Sequence, residues 1–239
     1  LLGPLWSWLD PFSSLYDIGR AIARRLRIHL PGRAPWHRRT QAWPAATLMG
    51  FFVWLELAAR VGAGRELGVV LIGYTLVAVG GMAWYGRDRW RSSGEVFSVW
   101  FGLLGRLAPW GLVGAPEDGR FRRVGFGRGL MNGAWTTSLL VVVAIATGSV
   151  IWDGISQTQP FRDVVGDPSL ALDTILLVTF LAALAGLVIA VAGRVGRTAM
   201  GAGLVPVAVG YLVAHYLTYL LTEGQRNVVA LTDPLQQGW

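Results

Sequence analysis

The sequence predicts an all-α, polytopic bundle of transmembrane helices, and three observations support that fold class. Hydrophobic residues make up 53% of the 239 residues and charged residues 15%, whereas soluble domains carry about 25% charge. Mean hydropathy is +0.47. Five apolar stretches are long enough to cross the roughly 30 Å hydrocarbon core of a bilayer, and the 12 Trp suit its interfaces.

Each of the five predicted spans is bounded by Arg, Asp, Gly or Pro, and several by Trp or Tyr. An α-helix rises about 1.5 Å per residue, so spans of roughly 17–25 residues are expected. The predicted spans, in chain order, are Trp43–Ala59, Gly68–Tyr85, Ala134–Trp152, Ala171–Gly193 and Met200–Thr222.

A sixth apolar stretch, Glu95–Val113, is interrupted by Arg106 and Pro109. Arginine accumulates on the cytoplasmic side of membrane proteins, so the charges of the loops decide whether this stretch crosses. If this stretch crossed the membrane, the arginine cluster from Arg120 to Arg128 would lie on the outer side, and the excess of arginine on the cytoplasmic side would be lost. We therefore predict an interfacial or re-entrant helix on the cytoplasmic side.

The arginine distribution also predicts the orientation. One side of a five-span topology has seven Arg before the first span, eight between the second and third spans and two between the fourth and fifth. The other side has two, one and one, and its loop after the third span also carries Asp153, Asp163 and Asp167. This pattern predicts a multi-pass protein of the cytoplasmic (inner) membrane, with a cytoplasmic N-terminus and an extracytoplasmic C-terminus.

The N-terminal segment predicts an amphipathic basic helix. Asp10 and Pro11 have the residue types of a helix start. Apolar residues then recur at helical spacing, at Leu15, Ile18, Ile22 and Leu26, while the other side carries Arg20, Arg24 and Arg27. Such a helix suits the headgroup plane, and packing on a soluble partner or on a missing part of the chain is the alternative.

These elements divide the chain into three predicted parts. Residues 1–42 form the amphipathic segment and a linker, residues 43–223 form the transmembrane domain, and residues 224–239 form an extracytoplasmic tail. The first residue is Leu, which predicts that the chain is a processed or truncated piece of a longer one.

Composition excludes several kinds of chemistry. The sequence has no Cys, so it has no disulfide, no thiolate metal site and no cysteine nucleophile. All 21 basic residues are Arg, which excludes a Schiff-base lysine and a P-loop lysine. The net charge of +7 is attributed to loops facing anionic headgroups, and no nucleic-acid partner is expected. No cofactor is predicted.

Ionisable residues inside a predicted span are functional candidates, because burying them in hydrocarbon costs at least about 2.5–3.5 kcal/mol. Glu56 lies towards the outer end of the first span and Asp173 at the outer end of the fourth. His215 lies in the outer half of the fifth span, and Glu223 lies just beyond it. The topology therefore predicts that all four lie near the outer boundary.

The fifth span is the most polar. One face carries Tyr211 and His215, followed by two threonines, and the adjacent face carries Tyr216, Tyr219 and Glu223. One interpretation is a polar membrane site with His215 as a proton carrier or, more weakly indicated, a metal ligand, and Glu56 or Glu223 as its acidic partner. The other is interhelical hydrogen bonding with an aromatic belt of tyrosines.

A second arginine cluster lies before the third span. It consists of Arg120, Arg122, Arg123 and Arg128. These residues, together with the arginines of the N-terminal helix, are candidates to bind anionic lipid headgroups. The alternative is that the cluster only determines topology.

Four segments resemble a loosely defined group of prokaryotic polytopic membrane proteins, some of which carry the label fenitrothion hydrolase. The segments are Asp10–Asp17 (DPFSSLYD), Gly94–Pro109 (GEVFSVWFGLLGRLAP), Ala214–Gln225 (AHYLTYLLTEGQ) and Leu231–Pro234 (LTDP). The resemblance implies a polytopic membrane fold, and the label implies hydrolysis of an organophosphate ester. It assigns no catalytic residues.

Three functions follow as alternatives. The first is transport or conduction of a small solute, proton or ion through the polar site. The second is a structural or anchoring subunit of a larger membrane complex, with Ala182, Gly186 and Ala190 as a small-residue interface. The third is a membrane-embedded hydrolase. The expected partners are membrane lipids, with other membrane subunits or the missing remainder of the chain as further candidates.

Overall fold

The computed structural model describes residues 6–28, 34–62, 64–112, 121–166, 168–222 and 224–225. Its helices are α1 (Trp6–Leu9), α2 (Pro11–Arg25), α3 (Trp43–Leu57), α4 (Arg65–Tyr85), α5 (Arg87–Ser93), α6 (Val96–Gly105), α7 (Arg128–Asn132), α8 (Thr137–Ser156), α9 (Gln159–Val165), α10 (Leu170–Val195) and α11 (Arg197–Thr222). Arg38–Thr40 forms a short 3-10 helix. The predicted all-helical class is confirmed, apart from one small hairpin that was not predicted. Its strands, β1 (Trp110–Leu112) and β2 (Phe121–Arg123), pair antiparallel.

Within the described residues, four helices are long and apolar enough to cross a membrane. They are α4, α8, α10 and the part of α11 that runs from Arg197 to Ala214. Helix α3 covers the first predicted span, but it has 15 residues. At about 1.5 Å per residue it extends about 22 Å, which is shorter than a typical hydrocarbon core. The bundle is thus compatible with an integral membrane protein, and the count of five spans stays a prediction.

Helix α8 lies at the centre of the bundle, and α3, α10 and α11 pack around it. The Ala42 N–H donates to Ser138 Oγ at 3.0 Å where α3 and α8 begin. Val53 and Trp152 share one apolar cluster near the points where the two helices end. The two helices therefore run in the same direction. We call the end at which they begin the near end, and the end at which they finish the far end.

The directions of α10 and α11 follow from their contacts with residues at the two ends of α8. Leu177, in the first half of α10, packs in the same cluster as Trp152, so α10 begins at the far end. Gly201, in the first turns of α11, lies against the ring of Trp135 just before α8, so α11 begins at the near end. The fully buried Val142 and Val143 of α8 form the core that all these helices share.

Helices α5 and α6 form a hairpin that enters the bundle from the near end and turns back at half its height. After α4 ends, α5 folds back along it, with the Trp90 ring against Gly81. The turn brings Glu95 to the middle of α4, where its carboxylate accepts a hydrogen bond from Tyr74. Helix α6 then returns to the near end, where the Leu107 carbonyl bonds to the segment leading into α8.

The N-terminal helix α2 begins as predicted and packs along the side of α4. Asp10 Oδ1 accepts from the N–H groups of Phe12 and Ser13, at 3.0 and 3.2 Å. The Phe12 ring meets the Tyr74 ring edge-on at 5.1 Å, so α2 starts at half height rather than in the plane of the near end. The predicted apolar face is exposed, with accessibilities of 48–65% at Leu15, Ile18, Ile22 and Leu26.

The small-residue ridge of α10 lies on an exposed surface. Ala182, Gly186 and Ala190 are all exposed, and a Cβ at Gly186 would meet nothing within 4 Å. The ridge therefore packs against no helix in the described part of this chain, and its predicted role as an interface stays a prediction.

Candidate functional site

The far end gathers carboxylates from three helices. Glu56 in the last turn of α3, Asp153 in the last turn of α8 and Asp173 in the first turn of α10 line one pocket of about 420 Å³. They meet because α3 and α8 end where α10 begins. The sequence placed Glu56 and Asp173 at similar depth, and the structure brings them together. Asp153 was missed, because its position at the end of a span identified it only as a loop charge.

We call this pocket the outer pocket. Two of its lining residues, Asp173 and Arg60, form an ion pair. Arg60 Nη2 donates to Asp173 Oδ2 at 2.9 Å, with the Arg60 side chain 68% exposed and that of Asp173 11% exposed. Beside it, Trp54 Nε1 donates to Thr174 Oγ1 at 3.0 Å. These bonds join the end of α3 to the start of α10, where the helix dipole also favours a carboxylate. Asp173 is therefore a structural link, and its charge is already balanced.

A second cavity, of about 500 Å³, lies among α3, α6, α8 and α11 and shares Glu56, Leu57 and Asp153 with the outer pocket. Because α6 begins at half height, it fills only the near half of the space between α3 and α11. The cavity lies alongside α6, from Val96 at its start to Leu104 near its end, and continues to Glu56 and Asp153 at the far end. Aromatic side chains form much of its wall, among them Phe52, Phe97, Trp100 and Phe101.

We call this second cavity the inner cavity. Its opening towards the outer pocket, which we call its mouth, carries the carboxylates of Glu56 and Asp153. Glu56 is exposed and makes no hydrogen bond or ion pair with any residue that the structure describes. Asp153 Oδ1 accepts only a hydrogen bond from Gln157 Nε2, at 2.8 Å, among its described contacts. The described residues of the cavity wall include no Arg or His. Among the described residues of this wall, no basic side chain balances the two carboxylates, and the exposed Arg162 lines the adjoining pocket.

Two of the predicted residues of the fifth span line the same cavity. Tyr211 and Tyr216 both lie on its wall, and the Tyr211 hydroxyl is 3.5 Å from the Val150 carbonyl oxygen. The side chains of His215 and Tyr219, and all of Glu223, lie outside the described residues, so their predicted roles stay predictions. Among the residues that are described, no group of three His, Cys, Asp or Glu is placed to hold a metal ion.

A separate buried carboxylate lies at the turn of the α5–α6 hairpin. Glu95 is completely buried and precedes α6, where its carboxylate accepts from the N–H groups of Phe97 and Ser98 at 3.0 and 2.6 Å. It also accepts the hydroxyl hydrogen of Tyr74. The first N–H groups of a helix have no partner within it, so a carboxylate at this position satisfies them. Sequence analysis named Glu95 only as the first residue of an apolar stretch.

An ion pair lies beside this turn. Arg91 Nε is 2.9 Å from Asp10 Oδ2, and the Asp10 side chain is 1% exposed. Ser13 Oγ donates to the same carboxylate oxygen at 2.6 Å. The sequence identified Asp10 as a helix cap and Arg91 as a loop charge. The pairing was missed because it depends on α5 folding back beside the start of α2.

The described arginines among those predicted to bind headgroups lie on or just after α2, on β2 and at the start of α7. Arg20 is half-buried, with its guanidinium 6.0 Å from the centre of the Tyr16 ring. Those that are exposed are Arg24, Arg27, Arg123 and Arg128. Arg122 belongs to β2, but its side chain and the whole of Arg120 lie outside the described residues.

Arg106, which interrupts the sixth apolar stretch, has a packing role at the near end. Its guanidinium lies 5.6 Å from the centre of the Trp135 ring and against Gly133, while its backbone lies against Gly129. Burial lowers the pKa of this guanidinium from its usual value. Arg106 therefore packs between α6 and the segment before α8, where α6 returns to the near end.

No protein-family model, curated protein or solved structure matches this chain. The resemblance seen in the sequence therefore stays an expectation. The structure adds that two of the segments carrying it, Asp10–Asp17 and Gly94–Pro109, pack against each other, with the rings of Phe12 and Phe97 stacked at 6.4 Å. Those two segments also supply three of the buried polar residues at the hairpin turn, namely Asp10, Ser13 and Glu95.

Proposed function

We propose that the chain is an integral membrane protein that carries a small solute through the inner cavity. The observation that supports this best is a space of about 500 Å³ within the bundle, with an aromatic wall and the carboxylates of Glu56 and Asp153 at its mouth. Its volume is typical of small-molecule sites, which are about 300–1,000 Å³. Ionisable groups that face the interior or a wet cavity of a membrane bundle are functional candidates, and both carboxylates line this cavity.

The arginine distribution supports an orientation in which the near end faces the cytoplasm. In that orientation the α5–α6 hairpin is a re-entrant element, and the cavity opens to the outside. The near half of the bundle is closed by Leu103 of α6 and by Leu107 just after that helix, which pack in one cluster with Ala45 and Leu130. A solute would pass this closed half only if α6 moves, so transport requires the near half to open in turn.

Single cysteines can test this directly, because the natural chain has no Cys. Ser149→Cys places a thiol on the cavity wall, and Leu103→Cys places one in the closed near half. A matched control is Val178→Cys, at an exposed apolar position of α10. Each variant, reconstituted in vesicles of known orientation, is treated from one side at a time with a charged methanethiosulfonate reagent, which reacts only with a hydrated thiolate.

Transport predicts that Ser149→Cys reacts from the far side and that Leu103→Cys reacts from the near side in part of the population. Val178→Cys should stay unreacted, since it faces lipid. If Ser149→Cys is protected from both sides, the cavity is dry and the proposal is wrong. If Ser149→Cys reacts from the far side but Leu103→Cys is protected from both sides, the cavity is a fixed pocket. A structural subunit or a membrane-embedded hydrolase would then be the better explanation.

We further propose that anionic lipid headgroups bind at the near end. The exposed apolar face of α2 next to Arg24 and Arg27 supports this, because each basic residue near an anionic surface contributes about 1 kcal/mol. Native mass spectrometry should show more bound phosphatidylglycerol than phosphatidylcholine. Replacing Arg20, Arg24 and Arg27 by Gln should remove that preference, whereas Arg60→Gln at the far end should keep it.

A further inference from the structure

We infer that the ligand of the inner cavity is a hydrophobic organic cation, whose charge lies beside Glu56 and Asp153 and whose apolar part lies against the aromatic wall. This inference rests on the proposed function, because it names the class of solute that the same cavity takes. Charge, wall chemistry and size each support it.

The charges of the described wall have one sign. Glu56 and Asp153 line the inner cavity, and none of its described residues is basic. Two described arginines line the adjoining outer pocket: Arg60 is bonded to Asp173 at 2.9 Å, and Arg162 is exposed on α9. Within the inner cavity, an anionic ligand would therefore meet two carboxylates and no basic side chain among the described residues of the wall, whereas a cation would neutralise the carboxylates.

The wall chemistry distinguishes an organic cation from a metal ion. The rings of Phe52 and Phe97 are tilted by 57° with their centres 5.3 Å apart, and Phe97 stacks on Phe101 at 6.2 Å. Aromatic faces attract cations and also bury apolar groups. Six of the 17 lining residues are aromatic and most of the others are aliphatic, so the wall offers few oxygen ligands, whereas hard metal ions require about six to eight. A phosphonium or quaternary ammonium centre with aryl or alkyl substituents matches both parts of the cavity.

The test uses two probes of the same shape and opposite charge. Tetraphenylphosphonium and tetraphenylborate are bulky enough for a cavity of about 500 Å³ and differ mainly in the sign of their charge. Equilibrium dialysis of each radiolabelled probe is measured against purified full-length protein in detergent. Empty micelles give the background partitioning. The variants are Glu56→Gln, Asp153→Asn and their combination, with Glu66→Gln as the control, since Glu66 is an exposed acid in the first turn of α4 outside the cavity.

Saturable binding of tetraphenylphosphonium is expected, with affinity falling roughly tenfold in each single variant and further in the double variant, because each removes one charge that faces the cation. Glu66→Gln should bind like the natural protein. Equal or tighter binding of tetraphenylborate, or unchanged affinity in the double variant, would overturn the inference. The thiol-labelling experiment needs no ligand. If Leu103→Cys is labelled but tetraphenylphosphonium does not bind, the ligand class alone is refuted. If tetraphenylphosphonium binds but Leu103→Cys is not labelled from the near side, transport alone is refuted.

Discussion

A matched pair of glycine substitutions in α4 tests whether the α5–α6 hairpin folds back into the bundle. Gly80 and Gly81 are neighbours in the same helix, so replacing either by Ala brings the same gain in helix propensity, about 0.5–1 kcal/mol. A Cβ at Gly80 would meet nothing within 4 Å. A Cβ at Gly81 would overlap ring atoms of Trp90. The difference between the two variants therefore isolates that one contact.

The clash cannot relax cheaply, because the Trp90 ring is held on its other sides. It stacks on Tyr85 at 5.7 Å and meets the Trp36 ring at 6.1 Å. Overpacking of a fixed core group typically costs about 1–3 kcal/mol. We therefore expect Gly81→Ala to be less stable than Gly80→Ala by about 1–3 kcal/mol.

The assay is unfolding in mixed micelles of dodecyl maltoside and dodecyl sulfate, followed by circular dichroism. Adding Trp90→Ala to both glycine variants should remove most of the difference between them, because the ring that clashes with Gly81→Ala is then absent. If Gly81→Ala and Gly80→Ala are equally stable in the natural background, α5 does not pack on α4. The half-height hairpin, and the cavity that depends on it, would then be wrong.

Three further predictions use the same unfolding assay. Glu95→Ala should lower the free energy of unfolding by about 1–3 kcal/mol, because it leaves the first N–H groups of α6 and the Tyr74 hydroxyl without a buried acceptor. A loss smaller than that of Tyr74→Phe would contradict this. Asp10→Ala should cost about 3 kcal/mol, since it leaves Arg91 largely buried without its partner, and an effect no larger than that of an exposed substitution would refute the pair. Gly201→Ala should be less stable than Gly203→Ala by about 1–3 kcal/mol, because only Gly201 lies against an indole ring, that of Trp135; equal stabilities would show that α11 does not begin there.

The sequence predicted the ends of the helices better than the contacts between them. Glu56 and Asp173 meet at the far end because both lie at span boundaries, and the apolar stretches together with the arginine counts locate those boundaries. The Asp10–Arg91 pair needs α5 to reverse beside α2, and no periodicity in the sequence reports that reversal. Arg106 illustrates the same limit, since it marked an interruption in the sequence but its contact with the Trp135 ring is tertiary.

The short length of α6 is one physical cause behind both polar regions of the bundle. A helix that begins at half height leaves its first N–H groups inside the protein, where water cannot satisfy them, and Glu95 is placed to do so. That buried carboxylate then needs a donor of its own, which Tyr74 provides from the middle of α4. The same early start leaves the space beyond Val96 unfilled between α3 and α11, and this space forms the part of the cavity next to Glu56, while the rest of the cavity lies alongside α6 as far as Leu104. A full-length helix in this position would fill that space, so the candidate site depends on where α6 begins.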